Sequence, residues 1–77
     1  MKTNLREARK AKGLTQQQLA DRTYVTSRSI IALEKGVYNP SLLLAYRLSL
    51  VLEVPMETLF CLVDNLQEED KRYEDLS

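Results

Sequence analysis

The side chains that carry most catalysis are scarce in this sequence. It has no His, so the usual general base and the commonest metal ligand are missing, and its one Cys, Cys61, can close no intrachain disulfide. No nucleophile–base pair and no metal-ligand cluster stands out, so neither an enzyme nor a zinc module is expected, and no cofactor is called for. The chemistry on offer is that of cations and amides. Residues 1 to 36 hold eight basic side chains (Lys2, Arg6, Arg9, Lys10, Lys12, Arg22, Arg28, Lys35) against three acidic ones (Glu7, Asp21, Glu34), a balance of +5. Residues 37 to 63 contribute Arg47 against Glu53 and Glu57, or −1. Residues 64 to 77 carry Asp64, Glu68, Glu69, Asp70, Glu74 and Asp75 against Lys71 and Arg72, or −4. The net charge of zero is thus the sum of a basic half and an acidic tail, which points to a polyanionic partner or an acidic interaction segment.

These charges must be positioned by a single small domain, since the chain has 77 residues. A chain this short buries only about 60% of its unfolded surface, so a partner subunit is a natural source of added stability. No apolar run approaches the roughly 20 residues that span a bilayer, and the chain reads as soluble and cytoplasmic, with no membrane partner. The local signals describe a string of short helices. The first covers about residues 4 to 12 and stops at Gly13, a left-handed C-terminal cap. Thr15 with Gln18 three residues on forms a capping-box pattern for the second, whose buried face is Leu19-Ala20. Thr26 caps the third, with Ile30 and Leu33 on one face and Gly36 at its end. Only Tyr24-Val25 and a cap separate the second from the third, which forces a sharp corner. Ser41 caps a fourth helix from Leu42 to about Glu53, and Pro55 starts a last short one through about Phe60. Beyond Asp64 the sequence is polar and charged, and a flexible acidic tail is expected over residues 64 to 77.

The run from Leu14 to Gly36 resembles the helix-turn-helix of the Cro/phage-repressor (Xre) family of transcription regulators. The match includes the Leu-Thr-Gln-x-x-Leu-Ala opening, a Val before a hydroxyl N-cap, and the Ser-x-x-Ile-x-x-Leu-Glu-x-Gly close. It extends back through Leu5-Arg6-Glu7-Ala8-Arg9 and forward through Asn39-Pro40-Ser41-Leu42 to Leu59-Phe60. The resemblance implies an all-α, compact five-helix bundle of the lambda-repressor-like type over residues 1 to 63. Some small relatives add a two-stranded β-pair, for which Met1 to Thr3 and Cys61 to Val63 are the candidates. One departure is Tyr24, where the family usually has a Gly at positive φ.

An α-helix fits the major groove of B-DNA, and its N-terminal residues reach base edges. On the third helix, Ser27, Arg28, Ile31, Ala32 and Lys35 point away from the core face. Arg28 is the candidate for a guanine contact through its two-pronged guanidinium, Ser27 for a base or a phosphate, and Ile31 for a thymine methyl or partial burial. The resemblance implies that Gln16, beside Gln17 at the start of the second helix, bonds a phosphate and braces the recognition helix. It further implies that Lys35, Tyr38 and Asn39 track the DNA backbone, and that Arg9 and Glu34 form an internal salt bridge. Lys10 and Lys12 read as surface charges matched to the dipole of the first helix.

The fourth helix is apolar nearly all round. Leu42, Ala45, Leu48 and Leu52 fit an inward stripe, yet Leu43, Leu44, Tyr46, Leu50 and Val51 are apolar too. Surface of that kind on a domain this small is expected to face another molecule. The expectation is a homodimer through this helix, the one after it and the Phe60 to Val63 run, with Leu43, Leu50, Phe60 and Cys61 as contacts. Cys61 itself reads as a small buried hydrophobe.

Together these features predict a sequence-specific DNA-binding regulator, a repressor that occupies a palindromic operator as a homodimer. Two alternatives use the same domain: the antitoxin of a toxin–antitoxin pair and the controller protein of a restriction–modification system, with the acidic tail available to a protein partner. A protein-interaction module that does not bind DNA is a further alternative, disfavoured by Gln16, Arg28 and Lys35. The tail's negative charge is expected to lower non-specific DNA affinity.

Overall fold

The structure, a computed structural model, describes residues 1 to 76. Six helices follow one another: α1 (Leu5–Ala11), α2 (Gln16–Thr23), α3 (Ser27–Glu34), α4 (Leu42–Leu52), α5 (Met56–Leu59) and α6 (Leu62–Leu76). The starts of α2, α3 and α4 are set by side-chain caps. Thr15 Oγ1 accepts from Gln18 N while Gln18 Oε1 accepts from Thr15 N, at 3.0 and 2.9 Å. Thr26 Oγ1 accepts from Ser29 N and Ser41 Oγ from Leu44 N.

The turns between helices pass through left-handed backbone five times. Gly13 and Gly36 take φ of 71°, and three residues with side chains do the same: Tyr24 at 59°, Glu53 at 57° and Cys61 at 49°. Each marks a corner at which a helix stops and the chain turns back on the core. That core contains Leu5, Leu14, Leu19, Ile30, Leu33, Leu48, Leu59 and Phe60, at least one residue from each of the first five helices or their ends. The buried hydroxyls are satisfied locally, Thr23 Oγ1 donating to Leu19 O at 2.8 Å and Ser49 Oγ to Tyr46 O at 2.6 Å.

Four expectations are corrected. Residues 64 to 76 are not an irregular tail but most of a sixth helix, a segment free of Gly and Pro and rich in Leu, Gln, Glu, Lys and Arg. The terminal β-pair does not form, and no strand occurs among the described residues. Cys61 is instead a left-handed corner, and Leu62 and Val63 begin α6. Met1 to Thr3 are held by other partners: Met1 N donates to Gly36 O at 2.7 Å, Lys2 N to Asn65 Oδ1 at 3.0 Å, and Thr3 Oγ1 to Leu59 O at 3.3 Å. Leu42 is 72% exposed and lies outside the inward stripe of α4, which is Ala45, Leu48, Ser49 and Leu52. Lys12 does more than match a helix dipole: its ammonium pairs with the Glu53 carboxylate and so links the end of α1 to the end of α4. The hydrogen bond from Lys12, then its charge, hold the Glu53 carboxyl below the usual carboxylate range.

The two glycine corners differ in what surrounds them. A Cβ on Gly36 would stand 2.0 Å from the Met1 carbonyl oxygen, whereas one on Gly13 would meet nothing within 4 Å. Gly13→Ala is expected to cost about 1 kcal/mol, the left-handed penalty alone. Gly36→Ala should cost at least about twice that, because the Met1 backbone must also move and its bond to Gly36 is lost. Urea denaturation of the two variants checks the order.

Candidate nucleic-acid interface

The corner between α2 and α3 is made by Tyr24, Val25 and Thr26. Tyr24, in left-handed backbone at φ 59°, ends α2 with its ring exposed, and the Arg47 guanidinium from α4 stands 4.8 Å from the ring centroid. That cation–π contact ties the corner to α4 and offsets part of the cost of a bulky residue at positive φ. Val25 is half-buried against the core, and Thr26 starts α3 at once.

Helix α3 is fixed by its inward residues, Ile30 and Leu33, both fully buried. Its other side turns away from the core. Arg28 and Lys35 are exposed, whereas Ser27, Ile31 and Ala32 are half-buried. The loop after α3 folds back along it: the Tyr38 hydroxyl donates to Ser29 O at 3.4 Å, and the exposed Asn39 follows. Gln17 is exposed at the start of α2, where its amide donates to Asp21 Oδ1 at 2.8 Å.

Beside α3 the N-terminus of α2 opens into a shallow hollow of about 460 Å³ lined by Arg6, Arg9, Thr15, Gln16, Ile31, Glu34 and Lys35. Its floor is an ion pair. Arg9 Nε donates to Glu34 Oε2 at 2.7 Å and a terminal nitrogen donates to Oε1 at 3.2 Å, while the other terminal nitrogen donates to Leu14 O at 2.9 Å. Gln16 Nε2 adds a donor to the same carboxylate at 3.3 Å. With Arg9 and Glu34 neutralising each other, the cations left at the rim are Arg6 and Lys35, both exposed. Ile31 supplies the apolar wall, which accounts for its partial burial. A hollow with two cations, a side-chain amide and free helix N–H groups is suited to a phosphate. Arg6 is the residue that the sequence reading missed; its position three before Arg9, on the same face of the first helix, was the available signal.

Of the other candidates, Leu43 and Leu50 lie on the surface of α4, 77% and 59% exposed. Phe60 and Cys61 are inside the chain's own core at 1% and 9%, and present no surface to a second molecule. Of the apolar run they belong to, Leu62 and Val63 are exposed.

A corner between two short helices, the second held with one face outward beside an anion-ready hollow, defines a helix-turn-helix DNA-binding protein. Residues 5 to 59 match the helix-turn-helix family model. The chain belongs to that family, in its Cro/phage-repressor (Xre) type. It is 59% identical over 49 residues to an uncharacterized HTH-type transcriptional regulator of Methanothermobacter thermautotrophicus, covering 64% of this chain and 71% of that one. A second such regulator, from Archaeoglobus fulgidus, is 45% identical over 64 residues, covering 83% and 91%. Among solved structures, the restriction-modification controller protein C.AhdI of Aeromonas hydrophila superposes with a TM-score of 0.68 at 35% identity, covering 74% of this chain and 86% of that one. The protein is accordingly a DNA-binding transcriptional regulator.

The Arg9–Glu34 pair is nearly buried, its side chains 10% and 5% exposed. Arg9→Ala leaves the Glu34 charge without its main partner and is expected to cost about 3 to 5 kcal/mol. Urea denaturation measures that loss, and DNA affinity should fall with the folded fraction.

Proposed function

We propose that the protein is a cytoplasmic repressor that reads a palindromic operator as a homodimer and has no enzymatic activity of its own. The reading is carried by one arrangement: Arg28 stands exposed in the first turn of α3 while Arg6, Gln16 and Lys35 surround the hollow beside it. With α3 in the major groove, Arg28 pairs with the O6 and N7 edge of a guanine. Ser27, Ile31 and Ala32 lie against the same groove wall. Gln16 and Gln17, with Arg6 and Lys35, hold the phosphates on one side of the groove, and Tyr38 and Asn39 follow the backbone beyond it. Repression comes from occupying the promoter.

Two-fold operators call for a two-fold protein, and the outer face of α4 leaves Leu43, Tyr46 and Leu50 exposed to a second copy. A second reading, a controller protein of a restriction–modification system, is favoured by the likeness to C.AhdI at 35% identity. Binding of the protein to DNA upstream of its own gene and of a neighbouring restriction gene distinguishes it from a general repressor.

Selection of bound sequences from random duplex DNA tests the central reading. The wild type should select a palindrome, and Arg28→Ala should lose preference at one base position per half-site, about 1 to 3 kcal/mol of discrimination. Arg6→Ala should weaken binding to all sequences alike and reduce the slope of log affinity against log salt by about 1 per half-site. An unselective wild type, or affinity that does not change with salt, refutes it.

A further inference from the structure

Two apolar surfaces have no cover within the chain. The first is the outer face of α4, where Leu43, Tyr46 and Leu50 are 77%, 54% and 59% exposed and Arg47 is the one charged residue in the helix. The second belongs to α6, which lies beyond the end of the family match at residue 59. Leu62, Leu66 and Tyr73, spaced four and seven residues apart, form a stripe along it, and Leu66 and Tyr73 are 58% and 64% exposed.

The base of α6 is firmly held. The Asn65 amide donates to the carbonyls of Lys2 and Phe60 at 2.8 and 2.7 Å, and the Lys2 ammonium pairs with Asp64 at 3.2 Å. Beyond that base the helix departs from the globule, giving the molecule extents of 44 × 21 × 19 Å. It does not close on its own α4: a groove of about 700 Å³ runs between Leu66, Glu69 and Arg72 on one side and Pro40 and Leu42 on the other. A helix of fifteen residues with an uncovered stripe is marginal in water, so its order calls for a surface to lie on.

We propose that α6 of each copy lies along the outer face of α4 of a second copy, so that two arms are exchanged about a two-fold axis. The proposal rests on the homodimer reading above and names the contact that makes the dimer. Charge selects the occupant. Residues 64 to 76 carry six carboxylates against Lys71 and Arg72, so pairing α6 with the partner's α6 brings −4 against −4. Helix α4 has no carboxylate between Leu42 and Leu52 and offers the exposed Arg47. Length agrees: at 1.5 Å per residue α6 is about 22 Å long and α4 about 16 Å, so the arm spans the whole face. One contact, repeated by the two-fold, covers both apolar surfaces on both copies.

The test uses full-length protein with two double substitutions at exposed positions, Leu43→Asp with Leu50→Glu on α4, and Leu66→Asp with Tyr73→Asp on α6. Circular dichroism checks that each retains its helical content. Sedimentation equilibrium of either variant alone should show self-association at least tenfold weaker than wild type. Native mass spectrometry of the two variants mixed should then show a heterodimer, because the α6 of the α4 variant can still lie on the α4 of the α6 variant. Two monomeric variants that give no heterodimer would show that an intact α4 and an intact α6 on different copies do not pair, and overturn the exchange. An α6 variant that dimerises like wild type overturns the exchange while leaving the dimer standing. A wild type that is monomeric at all concentrations tested, with and without operator, overturns both.

Discussion

The seating of α3 beside α2 depends on the Arg9–Glu34 ion pair together with the buried Ile30 and Leu33. Burying two opposite charges is costly unless every donor and lone pair finds a partner. Here the guanidinium uses its Nε and both terminal nitrogens, two toward Glu34 and one toward the Leu14 carbonyl, and the carboxylate takes a further bond from Gln16. Four parts of the chain meet in this way: α1, the turn after it, the start of α2 and the end of α3. Its value is geometric. The planar fork of Arg fixes distance and angle together, which the single point charge of a Lys does not. Because the same carboxylate also orients Gln16, the hollow at the N-terminus of α2 and the direction of α3 are set by one group.

The corners show how so short a chain affords its compactness. Two of the five left-handed positions are Gly, and three carry side chains that raise the local cost by about 1 to 2 kcal/mol each. Each of the three has a contact elsewhere. Tyr24 lies under Arg47 of α4, Glu53 pairs with Lys12 at the end of α1, and Cys61 is packed into the core. The side chains of Tyr24 and Glu53 thus act as ties between helices that are distant in sequence. Gly36 works in the opposite sense: the lack of a side chain lets the Met1 carbonyl approach, and the N-terminal segment closes over the end of α3.

Most of the helix-turn-helix was legible because its signals are local. The capping box at Thr15 and Gln18, the hydroxyl at Thr26 and the apolar pairs Leu19-Ala20 and Ile30/Leu33 act within one or two turns of helix. What the sequence concealed depends on long-range placement. In α6 the abundance of charge masks a stripe of Leu62, Leu66 and Tyr73 whose spacing was there to be read. The apolar run Phe60 to Val63 suggested a surface strand, but the corner at Cys61 splits it, so Phe60 and Cys61 go inward while Leu62 and Val63 go out. In α4, apolar residues all round left the inward stripe undetermined; burial chose Ala45, Leu48 and Leu52, and Leu42 fell outside. Arg6 escaped notice because its meaning comes from Gln16 and Lys35, ten and twenty-nine residues away along the chain.

The uncovered faces of α4 and α6 bear on how the protein would regulate. In the proposed dimer, one half-site offers a single Arg28 and a single phosphate hollow, so tight binding requires both copies on one operator. Linking two modest contacts in this way multiplies their strength through effective concentration. If association off DNA is weak, operator occupancy rises with the square of protein concentration, because dimerisation and DNA binding are linked equilibria. A contact rimmed by the arm's carboxylates is well placed to be weak. If α3 seats in the groove as proposed, the same carboxylates would repel the phosphates of DNA wherever it is not seated, which would favour the specific complex over the non-specific one. In the proposed dimer the acidic segment would thus act twice, by making the subunit contact and by lowering the affinity of free subunits for DNA at random sites.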